Sequence, residues 1–481
     1  MIRVPQLRPV IFLLGIAALV MVFPLFYALA LGDRIMARAF YLPLGAVLLV
    51  VLPAAVITRK RPVRFAYKDG FLLVFLAWVF CCLLGAFPYY LSGRGISFCD
   101  AVFESACGFA TTGATTIGDI EALPGPLLLW RSLTHWFGGM GIVVLTVALL
   151  PMLGVGAFQL VKAEAPGPDK ERITPKIAHT AKILWFFYLG LSLALFLLYR
   201  IGGMGWFDAL CHALPMVATG GISTKNAGIA FYNSAFIDGV STAFMLLAGL
   251  NFSLYYRIFR LKFREAYDNS EGRAYFSIFI IAAVFISAAL VPHYGSVGRA
   301  LRYGAYQAAS VLSTCGSAVA DYGAWPVSAQ AALFVLMFIG GCSGSTAGGI
   351  KVIRCVVLWK QLGNEFKRIV YPQGIFSVRL NRKVGRKDVV YGAAGFVCVY
   401  LFTVFITALV SAALGVDVFS SFCAALAVTS NIGTGFGAVG PALNYGAFPP
   451  ALKYFYSFIM IAGRLELWTV LVLFFPEFWR R

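Results

Sequence analysis

Charge is what this chain has least of. Asp, Glu, Lys and Arg make up only 12% of its 481 residues, 60% are hydrophobic, and the mean hydropathy is +0.84. A soluble domain carries about 25% charged residues, so this composition excludes one and predicts a polytopic helical membrane protein. Acids are scarcer than bases, with 20 Asp and Glu against 39 Lys and Arg, for a net charge of +19. The bases gather in the links between apolar segments, as expected of cytoplasmic loops, which argues against a nucleic-acid surface. Histidine is nearly absent. The four present, His135, His179, His212 and His293, form no paired ligand motif, so a structural metal is not expected. The 10 cysteines have no metal spacing and lie mostly in apolar runs (Cys81, Cys82, Cys211, Cys398, Cys423), as small buried hydrophobes do. The sequence offers no credible nucleophile and base pair, so an enzyme is not expected. His135 near Ser132 reads as packing at an interfacial position. Nor is there a nucleotide motif, so regulation by ATP, ADP or NAD would have to come from a partner.

What the chain does have is a repeat. Phe109-Ala-Thr-Thr-Gly-Ala-Thr-Thr116 returns in altered form as Val217-Ala-Thr-Gly-Gly-Ile-Ser-Thr224, Leu312-Ser-Thr-Cys-Gly-Ser-Ala-Val319 and Thr429-Ser-Asn-Ile-Gly-Thr-Gly-Phe436. Aligned on Gly113, Gly220, Gly316 and Gly433, the copies stand 107, 96 and 117 residues apart. Each follows an apolar run too short to cross a bilayer and precedes a segment of spanning length. The pattern is span, half-span, glycine-bearing loop, span. Irregular backbone at membrane depth is tolerated only where it is buried in protein or lines a watery path. Glycine lets the carbonyls beside it turn toward a common axis, and rings of carbonyl oxygens replace the hydration shell of a monovalent cation. The expected fold is therefore all-α, with fourfold pseudo-symmetry around a central pore.

Residues 1–69 are read as an N-terminal transmembrane hairpin outside the repeat, with spans at Val10 to Leu31 and about 40–57. The first run follows Arg3 and Arg8. It is too long for a signal peptide and lacks a clear cleavage site, so it is expected to be retained. The cluster Arg59-Lys60-Arg61 with Arg64 and Lys68 marks the cytoplasmic side, with the N-terminus inside. Repeat 1 and its link fill 70–182, with spans at Phe71 to Tyr90 and about Leu127 to Leu150, where Pro151 ends the helix. The basic link carries Lys162, Lys170, Arg172, Lys176 and Lys182. Repeat 2 and its link occupy 183–273, repeat 3 with a broken helix and basic link 274–387, and repeat 4 388–481. Asp100, Asp208 and Asp417 sit near the starts of half-spans, whose C-terminal dipole ends would face the loops and favour a cation. Asp321 is either an outer-mouth carboxylate that concentrates cations or a solvated loop acid.

Two segments break the pattern of ordinary spans. Phe338-Ile-Gly-Gly-Cys-Ser-Gly-Ser-Thr-Ala-Gly-Gly-Ile-Lys351 places Gly340, Gly341, Gly344, Gly348 and Gly349, with Ser345 and Thr346, where one helix should run. Glycine costs about 1 kcal/mol per residue in a helix relative to alanine, so the helix is expected to unwind, as a movable gate or as a seam for close packing. The last span, Phe455 to Phe475, contains Gly463-Arg464-Leu-Glu466. A mid-span charge costs at least about 2.5 kcal/mol. Arg464 is expected to point at the ion path as a fixed barrier charge, or else to pair with another helix. Two residues along a helix span about 200°, so Arg464 and Glu466 are expected on different faces.

Together these loops, the glycine-rich broken span and Gly463-Arg-Leu-Glu466 resemble the Trk/Ktr/HKT superfamily of potassium transporters. The N-terminal hairpin and long chain make the sequence most similar to the TrkH/TrkG branch rather than KtrB. The resemblance implies a gated potassium uptake pore, the potassium ion being substrate, in a homodimer of the bacterial inner membrane with both termini cytoplasmic. It implies a TrkA-like cytoplasmic nucleotide-binding regulatory partner. By position it implies a filter of Thr111, Thr112 and Gly113; Ala218, Thr219 and Gly220; Thr314, Cys315 and Gly316; and Asn431, Ile432 and Gly433. It makes Gly340 to Gly349 the gating loop and Arg464 the intramembrane arginine. The competing reading is a secondary transporter of a small solute, which would build one deep site from a few broken helices.

Overall fold

The computed structural model describes residues 8–58, 67–141, 177–381, 383–384 and 387–480. The expected basic residues Arg3, Arg59 to Arg61, Arg64, Lys162, Lys170, Arg172 and Lys176, and the expected helix end at Pro151, lie outside these residues. Six described helices are long and apolar enough to cross a membrane, and eight if two sharply bent pairs each count as one crossing.

The N-terminal hairpin pairs Arg8–Val20 and Val22–Ala30 with Arg34–Thr58, and Asp33 starts the return by accepting from Met36 N at 3.0 Å. Phe40 meets Trp130 edge-on at 6.0 Å, and Tyr27 lies 5.5 Å from Phe207, so the hairpin is packed onto the first two repeats. In the first repeat the span Tyr67–Tyr90 leads to the half-span helix Phe98–Ala110 and the return helix Gly125–Gly139. The second has Ile177–Ile201, Trp206–Val217 and Ala235–Ala248; the third Ser270–Tyr294, Val297–Leu312 and Val327–Leu336; the fourth Lys387–Ala413, Val418–Thr429 and Pro450–Arg464. Lys68 Nζ donates to the carbonyl of Arg480 at 2.8 Å, which puts the chain end beside the start of the first repeat.

The half-span helices form the centre of the core. Eleven of the thirteen residues of the first are buried, and small side chains (Ala101, Ser105, Ala106, Gly108) let its neighbours come close. The first and fourth are capped at their N-termini by a local side chain. Ser97 accepts from Asp100 N at 3.1 Å, and Asp417 accepts from Ser420 N at 2.9 Å. Hydroxyl pairs then tie elements together where water is absent: Tyr199 with Ser241 at 2.8 Å, Tyr306 with Ser317 at 2.6 Å, and Tyr456 with Ser411 at 2.8 Å.

The return helices depart from the sequence reading, which broke only the third. The second turns by 95° between Ala248 and Phe252, and the fourth by 115° between Arg464 and Leu467. Each bend has a local cause. Asn251 starts a new helix by accepting from Ser253 N at 2.8 Å, and Glu466 takes a left-handed φ of 58°. In the third repeat no helix forms between Leu336 and Val352, as the glycine content predicts. The first return helix ends at Gly139, near the limit of the described stretch.

Removing a half-span cap tests this account. Asp417→Ala is expected to cost about 1 kcal/mol, read as a lower thermal midpoint of the detergent-purified protein.

Candidate functional site

The four half-span helices end in the same backbone figure. A left-handed residue follows each helix: Thr111 (φ 52°), Thr219 (55°), Thr314 (56°) and Asn431 (55°). The next amide donates to the carbonyl five residues back: Thr112 to Cys107 at 3.0 Å, Gly220 to Pro215 at 2.8 Å, Cys315 to Ser310 at 2.8 Å and Ile432 to Ala427 at 2.9 Å. This is the bond that closes a Schellman cap. A second left-handed residue then follows, always glycine: Gly113 (81°), Gly221 (56°), Gly316 (75°) and Gly433 (85°). The backbone therefore equates Gly221, not Gly220, with Gly113. The sequence alignment was one residue out in the second loop, because Gly220 and Gly221 are adjacent and composition does not say which takes the turn. The structural triplet is Thr219-Gly220-Gly221, and Ala218 is the right-handed cap of its helix.

The loops close a ring. A methyl group added at Gly113 would overlap the carbonyl oxygen of Gly220; at Gly221, that of Cys315; at Gly316, that of Ile432; and at Gly433, that of Thr112. First meets second, second third, third fourth, and fourth first. The four loops thus encircle one axis, with a carbonyl from each against the glycine of the next. Outer carbonyls are tied to the protein: Gly433 O accepts from Tyr445 Oη at 2.8 Å and Gly316 O from Thr434 Oγ1 at 2.9 Å. Among the described residues, no donor reaches the carbonyls of Thr111, Thr112, Thr219, Gly220, Thr314, Cys315, Asn431 or Ile432. All eight residues are buried. Buried carbonyls are almost always paired, so eight together present an electron-rich ring suited to a cation. Side chains brace it from outside: Asn431 Nδ2 donates to Thr112 Oγ1 at 3.0 Å and to Met460 O at 2.9 Å.

Behind the ring stand three residues that the sequence reading did not assign to the site. Glu104 and Arg131 form a buried ion pair at 3.1 Å. Glu104 also accepts from Thr115 Oγ1 and Thr116 N, both at 2.7 Å, and Arg131 Nη1 donates to Ser223 O at 3.3 Å. The pair fastens the outgoing strands of loops one and two. His135, one turn along the same helix from Arg131, is buried against Gly220 rather than interfacial. Charged residues in apolar segments were the available signal, applied to Arg464 alone. Asp321 accepts from Gly323 N at 2.9 Å and caps an exposed turn.

Beneath the ring lies the glycine-rich segment. Gly340 N donates to Ile350 O at 2.8 Å and Val352 N to Gly341 O at 3.1 Å, so its two ends meet and the stretch between folds out as a loop. Its tip touches three repeats: Thr346 Oγ1 donates to Val217 O at 3.2 Å, Gly348 N donates to Thr314 Oγ1 at 2.7 Å, and a methyl at Gly348 would overlap Ser430 O. Glu271 anchors its base, accepting from Ser343 N at 2.5 Å and Ile353 N at 3.3 Å. Arg464 is not a bare charge. It donates to Thr346 O, to Gly138 O at 2.8 Å and to Gly139 O at 2.9 Å, joining the loop to the first return helix. Glu466 instead pairs with Arg354 at 2.6 Å, so the two charges do diverge.

Known proteins share this plan. The chain matches the family of TrkH cation transport proteins over residues 38–286 and 274–481. It is 36% identical to the Trk system potassium uptake protein TrkH of Halomonas elongata, over 99% of this chain and 100% of that one. Identity to TrkH of Escherichia coli K12 is 37%, and to its TrkG 35%, each over 88% of both chains. The crystal structure of the potassium transporter TrkH from Vibrio parahaemolyticus matches with a TM-score of 0.89 at 32% identity, covering 100% of both chains. With four quasi-equivalent repeats, a multi-pass helical fold and this likeness over its whole length, the chain belongs to the TrkH family of cation transport proteins.

Proposed function

We propose that this protein takes up potassium through the ring of loop carbonyls, with the glycine-rich loop beneath it as gate. The closed ring of carbonyls, which meet no donor among the described residues, is the observation that carries the reading. Four half-span helices end at it, each contributing roughly half a negative charge from its C-terminal dipole. The buried carboxylate of the first half-span, Glu104, is neutralised by Arg131, so the field is one of dipoles rather than full charges. Such a field replaces the water around a weakly hydrated monovalent ion. The membrane potential supplies about 2.3 kcal/mol per charge per 100 mV for inward movement. The filter is Thr111 to Gly113, Thr219 to Gly221, Thr314 to Gly316 and Asn431 to Gly433.

The gate is held shut by bonds that cross repeats. Arg464, donating to Thr346 O and to Gly138 and Gly139, clamps the loop against the ring, and hydrogen bonds from a charged group are worth about 1.5–3 kcal/mol. A homodimer in the bacterial inner membrane, with both termini cytoplasmic and a TrkA-like nucleotide-binding partner, completes the proposal. The helix Val352–Val370 supports a cytoplasmic partner, since it exposes Trp359, Phe366 and Ile369 beside Lys360, Lys367 and Arg368.

Potassium uptake by a strain stripped of its own systems, with and without a protonophore and with sodium varied, tests the function and separates a channel from a coupled symporter. Gly113→Ser is expected to lower the potassium-over-sodium flux ratio on the order of tenfold, a shift of about 1.4 kcal/mol; an unchanged ratio argues against the filter. Arg464→Ala is expected to raise potassium flux, and shortening the loop within Gly344 to Gly348 to give a leak at rest. Reduced flux in folded protein from either change argues against the gate.

A further inference from the structure

Position 220 is the odd one in the ring. Its equivalents Thr112, Cys315 and Ile432 carry buried side chains, whereas the second loop has glycine. The backbone does not require it. Left-handed φ occurs at Thr219 and Gly221 but not at Gly220, so an ordinary residue is conformationally admissible there. Space is what forbids one. A methyl at Gly220 would overlap Cδ2 of His135, with Cγ at 3.1 Å and Cβ at 3.4 Å. His135 comes from another repeat, on the return helix Gly125–Gly139, and is 1% exposed. Its Nδ1–H donates to Arg131 O at 2.9 Å, which fixes the ring plane, and Nε2 meets no hydrogen-bond partner among the described residues. The imidazole is therefore placed by packing against the loop.

We propose that His135 stands in for the side chain missing from the second loop and sets the position of the Gly220 carbonyl, making it a positioning residue for ion selectivity. The inference rests on reading the ring as the ion filter. Thr112, Cys315 and Ile432 fill this position of their loops with their own buried side chains; at Gly220 the place is taken by a residue from the first repeat. Interiors are close-packed, so removing the wedge frees one carbonyl of four to relax toward a smaller ion. The bulk at 135 and the absence of bulk at 220 are complementary.

The test compares wild type, His135→Ala, Gly220→Ala and the double variant in liposomes, reading potassium and sodium flux with size-exclusion profiles. His135→Ala is expected to lower the potassium-over-sodium ratio about fivefold, and Gly220→Ala to lose most potassium flux. The double variant is expected to regain at least tenfold over Gly220→Ala. A wild-type ratio in His135→Ala, or a double variant no better than Gly220→Ala, overturns the proposal. If His135→Ala does not assemble, His135→Val, which still vacates the outer half of the ring's space, carries the same comparison. Gly113→Ser in the same liposomes separates the two readings. An unchanged ratio there indicts the filter itself; a changed ratio with an uncoupled 135–220 pair overturns only the wedge.

Discussion

A carbonyl oxygen buried away from water needs a positive partner, and this constraint organises the molecule. Eight such oxygens surround one axis without a donor among the described residues. Bringing them together is unfavourable on two counts: their dipoles repel, and the four turns that aim them put Thr111, Thr219, Thr314 and Asn431 in a left-handed conformation. That conformation costs roughly 1–2 kcal/mol for an ordinary residue. The arrangement persists because each turn is closed by a Schellman bond and the loop end of each half-span is buried in protein. The strain sits at the site where its geometry is used.

The surroundings are organised as supports of that ring. The first return helix presents Arg131, His135, Gly138 and Gly139 along one face, and each meets a different part of the site. Arg131 holds Glu104 and Ser223 O, His135 backs Gly220, and the carbonyls of Gly138 and Gly139 receive Arg464. These positions are three or four residues apart, so they share one helical stripe. A single helix thus connects the segments leaving the first two loops, the ring and the glycine-rich loop.

The repeat was legible in the sequence because backbone geometry of this kind needs glycine and hydroxyl residues at fixed places. The glycine-rich third return span was legible for the same reason, since no helix tolerates that composition. The register of the second loop was not, because two adjacent glycines satisfy the pattern equally and only φ distinguishes them. The bends after Ala248 and at Glu466 were also hidden. The first arises from Asn251 capping a new helix two residues on, a local cap that an apolar run conceals, and the second from Arg354 drawing Glu466 aside across more than 100 residues of sequence. Glu104 and Arg131 were visible as charges in apolar runs, but their pairing is a fact of tertiary structure. Arg464 was legible as an intramembrane charge; that it donates to the carbonyls of Thr346, Gly138 and Gly139 was not.

The ring is sealed by contacts between the first and the last repeat. Tyr445 N donates to Thr115 O at 2.7 Å, Lys453 pairs with Asp100 at 2.7 Å, and Asn431 bonds Thr112, each contact joining the last repeat to the first. More than 300 residues separate these partners. During synthesis the first half-span, locally capped at both ends, therefore lacks these partners until the final repeat emerges from the ribosome. Contacts of such separation form slowly. A nascent chain stopped short of the fourth repeat has an open arc instead of a closed circle.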